Sequence, residues 1–110
     1  MADEATFRRL ALDLPEVVEG GHHGNADFRT AGRVFASVHP GGATAMVRLE
    51  LARQQQLLQA PTPCLTPANG AWGKQGCTLI ALAAARDTLL RSLLTDAWET
   101  AHAARAKRDR

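Results

Sequence analysis

Residues 19–29 read EGGHHGNADFR, and they hold the densest set of side chains in this chain that could do chemistry. His22 and His23 stand side by side among glycines, with Asp27 close behind and His39 further on. Zinc needs three or four converging nitrogen, sulfur or oxygen ligands. Neighbouring residues of a strand point to opposite faces, so two adjacent histidines do not easily converge on one ion. His23 with Asp27 or His39 supplies only part of a set, and no metal is expected. Two other roles stay open. One histidine packs or hydrogen-bonds at a sheet edge while the other is solvated, or one contacts a ligand or carries a proton near neutral pH. Cys64 and Cys77 do not form a CxxC pair, and they read as two reduced thiols. There is no GxSxG, no P-loop and no strand–GxGxxG–helix unit. No catalytic residue and no cofactor is therefore expected, and the chain does not read as an enzyme.

Cations offer a second kind of chemistry. The net charge is +2 over 110 residues, and it is uneven, with −1 in residues 1–60 and +3 in residues 61–110. The tail ARAKRDR (104–110) is basic. This weak bias permits contact with nucleic acid without demanding it. Arg29 and Arg33 flank Ala31-Gly32, while Arg48 falls in a strand-like segment and Lys74 in a loop. These four are expected to share one surface away from the helices, bordered by Trp72. Trp72 lies in a glycine-rich loop, where an indole can stack a base or plug the end of the core. Asp27 and Arg29 can equally pair with each other across Phe28.

The elements that must position these residues follow from periodicity. Asp3 reads as the cap of a first helix whose Phe7, Leu10, Ala11 and Leu14 form one face, ended by Pro15. Strands are expected over 17–23, over a hairpin at 27–38 turning at Ala31-Gly32, and over 43–50. In the hairpin, simple alternation sends Val34, Ala36 and Val38 one way and Phe35, Ser37 and His39 the other. In 43–50, Ala45, Val47 and Leu49 oppose Met46 and Arg48. Residues 51–60 read as a helix with a thin apolar face of Leu51, Leu57 and Leu58, and residues 61–76 as a long Pro- and Gly-rich loop. The last strand is CTLIAL (77–82). The final helix, over about 87–105, carries Leu90, Leu93, Leu94, Ala97, Trp98 and Ala101 on one stripe. The order is α-β-β-β-β-α-β-α in a single domain spanning 1–110. Tight turns imply one antiparallel sheet with helices on one face, an α+β fold. There is no apolar run of about 18 residues and no secretory signal, so a cytoplasmic location without membrane contact is expected.

Several stretches resemble the MmcQ/YjbR family of small bacterial proteins. They are LALDLPEV (10–17), EGGHHGNADFRTAGRVFASVHP (19–40), AMVRLELARQQQLL (45–58), NGAWGKQGCTLIAL (69–82) and LLRSLLTDAW (89–98). The most specific pieces are the HxG-x-x-DFR segment with G-R-x-F-A after it, and WG-x-x-G-x-T. The resemblance implies a frataxin-like α+β arrangement. Members of that family are described, on grounds of shape, as candidate DNA-binding proteins with no established reaction or cofactor. The sequence departs from the family where the helix after AMVRLE often begins Thr/Ser-Pro-Glu. Here Leu49-Glu50-Leu51-Ala52 stand in that place. The tail beyond Trp98 lies outside the similarity.

Three functions are thus expected in descending order. The first is a noncatalytic DNA-binding protein using Arg29, Arg33, Arg48, Lys74 and Trp72. The second is a protein-interaction or small-molecule module with a cleft near His22, His23 and Trp72. The third is an enzyme working through His22 or His23.

Overall fold

The computed structural model describes residues 2–22, 25–60 and 62–108. Asp3 caps the first helix, α1 (Glu4–Leu12), by accepting the Thr6 amide at 2.9 Å. Four strands then follow in a meander: β1 (Val18–His22), β2 (Asn25–Thr30), β3 (Arg33–Val38) and β4 (Thr44–Arg48). After α2 (Leu51–Gln59) come β5 (Leu65–Pro67), a single-turn helix α3 (Ala71–Lys74), β6 (Cys77–Ala81) and the long α4 (Asp87–Arg108). All strand pairs are antiparallel, and the sheet order is β1-β2-β3-β4-β6-β5. The fold is α+β, as expected.

Residues 61–76 are not one loop. They hold β5 and α3. Tertiary context makes these elements: β5 is an edge strand three residues long that tolerates Pro67, and it forms only because β6 offers a partner. Gly73 and Gly76 let the segment fold so tightly. A Cβ on Gly73 would lie 2.0 Å from the Ala68 carbonyl oxygen, and one on Gly76 would lie 1.9 Å from that of Leu49. Gly76 also has φ +101, and its carbonyl accepts the Leu49 amide at 3.0 Å. The WG-x-x-G-x-T stretch is thus built from backbone approaches that exclude any side chain.

One sheet face carries the helices. From β2 it presents Ala26, Phe28 and Thr30, from β4 Ala45 and Val47, and from β6 Thr78 and Ile80, all buried. Leu90, Leu93, Leu94, Ala97 and Ala101 of α4 lie against it, and Phe7 of α1 meets Phe28 edge-on with ring centroids 6.0 Å apart. Trp98 departs from the expected stripe. It is only half-buried, its Nε1 donates to the Pro15 carbonyl at 2.8 Å, and its ring stacks on His102. His102 in turn reaches the Thr30 hydroxyl at 2.9 Å. The end of α4 is therefore tied to β2 and to the turn after α1 by polar contacts.

Two readings of pattern are corrected. The alternation expected for 34–39 fails because the β2–β3 register slips between Phe28 and Arg29. Phe28 pairs with Ala36 but Arg29 with Val34, so Phe35 is an extra, bulged residue that enters the core beside Ala36 and Val38. The face of α2 is also different. Leu51 and Leu58 are exposed, and the buried side chain is Gln54, which donates to the Cys77 carbonyl at 3.1 Å and the Thr78 hydroxyl at 3.2 Å. Glu50 precedes this helix without a side-chain cap, and Arg53 holds it to α4 through Asp96 at 2.9 Å.

Candidate functional site

The hairpin register decides where the cations go. Its turn has both central residues at positive φ, Ala31 at 54° and Gly32 at 79°. Such a two-residue turn pairs Thr30 with Arg33 and Arg29 with Val34. Thr30 is buried on the helix side, so Arg33 shares that side while Arg29 lies on the opposite face. The expected single surface of Arg29, Arg33, Arg48 and Lys74 does not form. Arg29 is bonded to Asp27 at 3.2 Å, with its own side chain 60% exposed. Gly20, across from Asp27 in β1, leaves room for this pair, since a Cβ there would come within 2.9 Å of Asp27 Oδ1. Gly20 and Gly21 thus serve the close pairing of β1 with β2. Arg33 and Arg48 both line a small crevice beside Ala97, Thr100 and Ala101 of α4, Arg33 from the helix side and Arg48 from the end of β4. Lys74 lines a separate groove with Gln55 and Leu58 of α2.

His22 is placed apart from Trp72 as well. His22 ends β1 opposite Asn25, and His23 lies outside the described residues. In the strand order β1 and β6 are separated by β2, β3 and β4, about 19 Å at the usual strand spacing. Trp72 sits beside β6, so a cleft shared by His22 and Trp72 is not built. Among the described residues no group of three or more His, Cys, Asp or Glu is placed to hold a metal ion. Cys64 and Cys77 are free and buried.

A concavity opens on the helix-free face of the sheet, away from α1 and α4. It measures about 390 Å³ and is lined by His39, Met46, Ala68, Asn69, Trp72, Cys77 and Leu79. Cross-strand register builds its floor: Met46 of β4 pairs with Leu79 of β6, and Arg48 pairs with Cys77. The β5–α3 connection forms its wall. Ala68 donates to the Cys77 carbonyl at 2.9 Å, which fixes Asn69 and Trp72 over that strand end. Trp72 itself is 64% exposed. Its alternative role as a plug for the core is excluded by this position. Burial pushes the Cys77 thiol above its usual value, against the smaller opposing pull of the Arg48 charge. A thiol held protonated is a poor nucleophile, so the floor acts as a soft, apolar surface. Trp72 was legible in the sequence as a glycine-flanked loop aromatic. Met46, Asn69 and Leu79 carried no such signal, because only the register of β4 on β6 and the Ala68–Cys77 bond bring them together.

No helix among the described residues is long and apolar enough to cross a membrane. No curated protein matches this chain. Among solved structures, a Deinococcus radiodurans protein described as carrying the DUF419 domain is similar, with a TM-score of 0.73 and 18% identity over 89% of this chain and 77% of that one. At that identity the likeness speaks for the fold. The YjbR family model matches residues 12–100, and so takes in the sheet, the Trp72 crevice and α4 as far as residue 100. The chain belongs to the YjbR family.

Proposed function

We propose that this protein is a noncatalytic binding module that takes a flat, largely apolar ligand on the helix-free sheet face, under Trp72. The observation that carries this reading is an indole 64% exposed at the rim of a 390 Å³ crevice. Large apolar side chains left in water beside a concave apolar floor mark binding surfaces more often than packing errors. The polar groups at the crevice are few. Asn69 offers one donor–acceptor pair, and His39 a ring nitrogen of either kind. That complement suits a planar heteroaromatic ring, stacked on the indole and hydrogen-bonded at its edge.

Nucleic acid is the second reading, and exposed Lys74, two residues beyond Trp72, favours it. A base on the indole with a phosphate near the ammonium would bind weakly and with strong salt dependence. A cytoplasmic setting is consistent with both readings.

The test uses Trp72 as its own reporter, in a Trp98→Phe background that leaves one indole. Adenosine and a twelve-residue oligo-dT are titrated separately. Saturable quenching by either, absent in Trp72→Ala when followed by calorimetry, supports the module. Salt-sensitive binding of the oligonucleotide alone selects the second reading. No saturation by either ligand at millimolar concentration overturns both.

A further inference from the structure

We propose that the gap between the start of β3 and the end of β4 is an oxyanion site of the phosphate type, held by Arg33 and Arg48. This goes beyond the Trp72 reading and does not depend on it. The β3–β4 ladder ends at the pair Ala36–Val47, so residues 33–35 and Arg48 diverge instead of pairing. The bulge at Phe35 drives that divergence. The gap is closed on one side by Ala97, Thr100 and Ala101 of α4, with Arg33 and Arg48 at its walls.

Two features of this gap call for an anion. Among the described residues, Arg33 Nε is buried and has no hydrogen-bond partner. A buried donor without an acceptor is costly, and a native fold normally supplies one. Both arginines are also half-buried, and neither makes a salt bridge among the described residues. The carboxylates of α4 near the gap are engaged or turned elsewhere. Asp96 is held by Arg53, and Glu99 lines the neighbouring groove with Glu50 and Arg53. Thr100 spends its hydroxyl proton on the Asp96 carbonyl at 2.8 Å. Two half-buried cations that line one gap without a carboxylate partner favour an anion between them.

The size of the gap selects the class of anion. It encloses only about 10 Å³, room for one oxygen-sized occupant. A water there would satisfy Nε and leave both charges standing. A planar carboxylate has two oxygens, which one guanidinium fork can take up by itself. A tetrahedral oxyanion can insert one oxygen toward Arg33 Nε and turn the others outward to Arg48. Phosphate has that shape, whether free, as a monoester, or as one link of a nucleic-acid backbone.

The experiment follows the arginine Nε–H resonances of the ¹⁵N-labelled protein while inorganic phosphate replaces chloride at constant ionic strength. The Arg33 Nε–H signal is expected to shift and saturate below about 10 mM phosphate. Arg48→Gln should weaken this at least tenfold, and Trp72→Ala should leave it unchanged. If Arg48→Gln loses its dispersed spectrum, Arg48→Lys keeps the charge without the fork and should weaken binding as well. A parallel titration with oligo-dT separates the sources. Saturation at a tenfold lower phosphate equivalent assigns the site to a phosphodiester chain, and equal or weaker binding assigns it to free phosphate or a monoester. Absence of a saturable shift with both ligands overturns the proposal, as does a phosphate response that persists undiminished in a folded Arg48 variant.

Discussion

Removing the amide of Gln54 should unfasten α2 from the sheet. Gln54 is 3% exposed, and its Nε2 donates to the Cys77 carbonyl at 3.1 Å and to Thr78 Oγ1 at 3.2 Å. Two neutral hydrogen bonds contribute about 1 kcal/mol each. The larger penalty for stranding a buried acceptor does not apply here. The Cys77 carbonyl still receives the Ala68 amide at 2.9 Å, and the Thr78 hydroxyl still donates to the Gly76 carbonyl at 3.1 Å. Gln54→Leu fills the same space and should cost about 1–2 kcal/mol. Gln54→Ala adds a void and should cost about 2–3 kcal/mol. Urea melts followed by tryptophan emission read both values. A cycle with Thr78→Val should give a coupling of about 0.5–1.5 kcal/mol, because the two side chains touch directly. A loss below about 0.5 kcal/mol in Gln54→Ala would refute the argument, since α2 would then be held by Arg53–Asp96 and Leu57 alone.

Two further outcomes are expected. Trp98→Ala should cost about 3 kcal/mol through lost packing on the core and a lost bond to Pro15, and a denaturant melt showing under about 1 kcal/mol would contradict the contacts described. Cys77 should make stability fall as the solution turns alkaline. Its folded thiol holds the proton more tightly than the unfolded one, so this contribution is intact below the ordinary value of 9.0 and is lost as pH rises from there toward the raised folded value. Urea midpoints between about pH 7 and pH 10 should decline more steeply in the parent than in Cys77→Ala, and parallel curves would count against burial as the cause.

Much of the fold was readable because it rests on period. The stripe from Leu90 to Ala101 can lie only against an apolar face, and α1, α2, α4 and the 31–32 turn follow from residue type. What escaped the sequence depends on partners. The Phe35 bulge arises from pairing with β2, and no alternation pattern carries it. Gln54 looks hydrophilic, yet it is buried because two acceptors await it. β5 exists only beside β6. The site followed the same division. Trp72 was visible as a local signal, while its crevice is a product of register. Arg29 and Arg33 seemed to share a surface because both flank the turn. A two-residue turn sets them on opposite faces, since Thr30 and not Arg29 stands across from Arg33.

The order of the strands bears on when the crevice exists. β1 to β4 pair with their immediate sequence neighbours, so their loops close at little entropic cost. β6 reaches β4 only after the chain has passed through α2, β5 and α3. Met46 belongs to the meander of sequence neighbours, and Asn69, Trp72, Cys77 and Leu79 belong to the segment that pairs with it across the longer connection. The pocket therefore lies on a seam between chain segments that are far apart in sequence, and it exists only where β6 is paired with β4. Any ligand seated there works as a clasp across the seam. It should slow amide exchange along β6 more than along β1 and β2, in proportion to its occupancy.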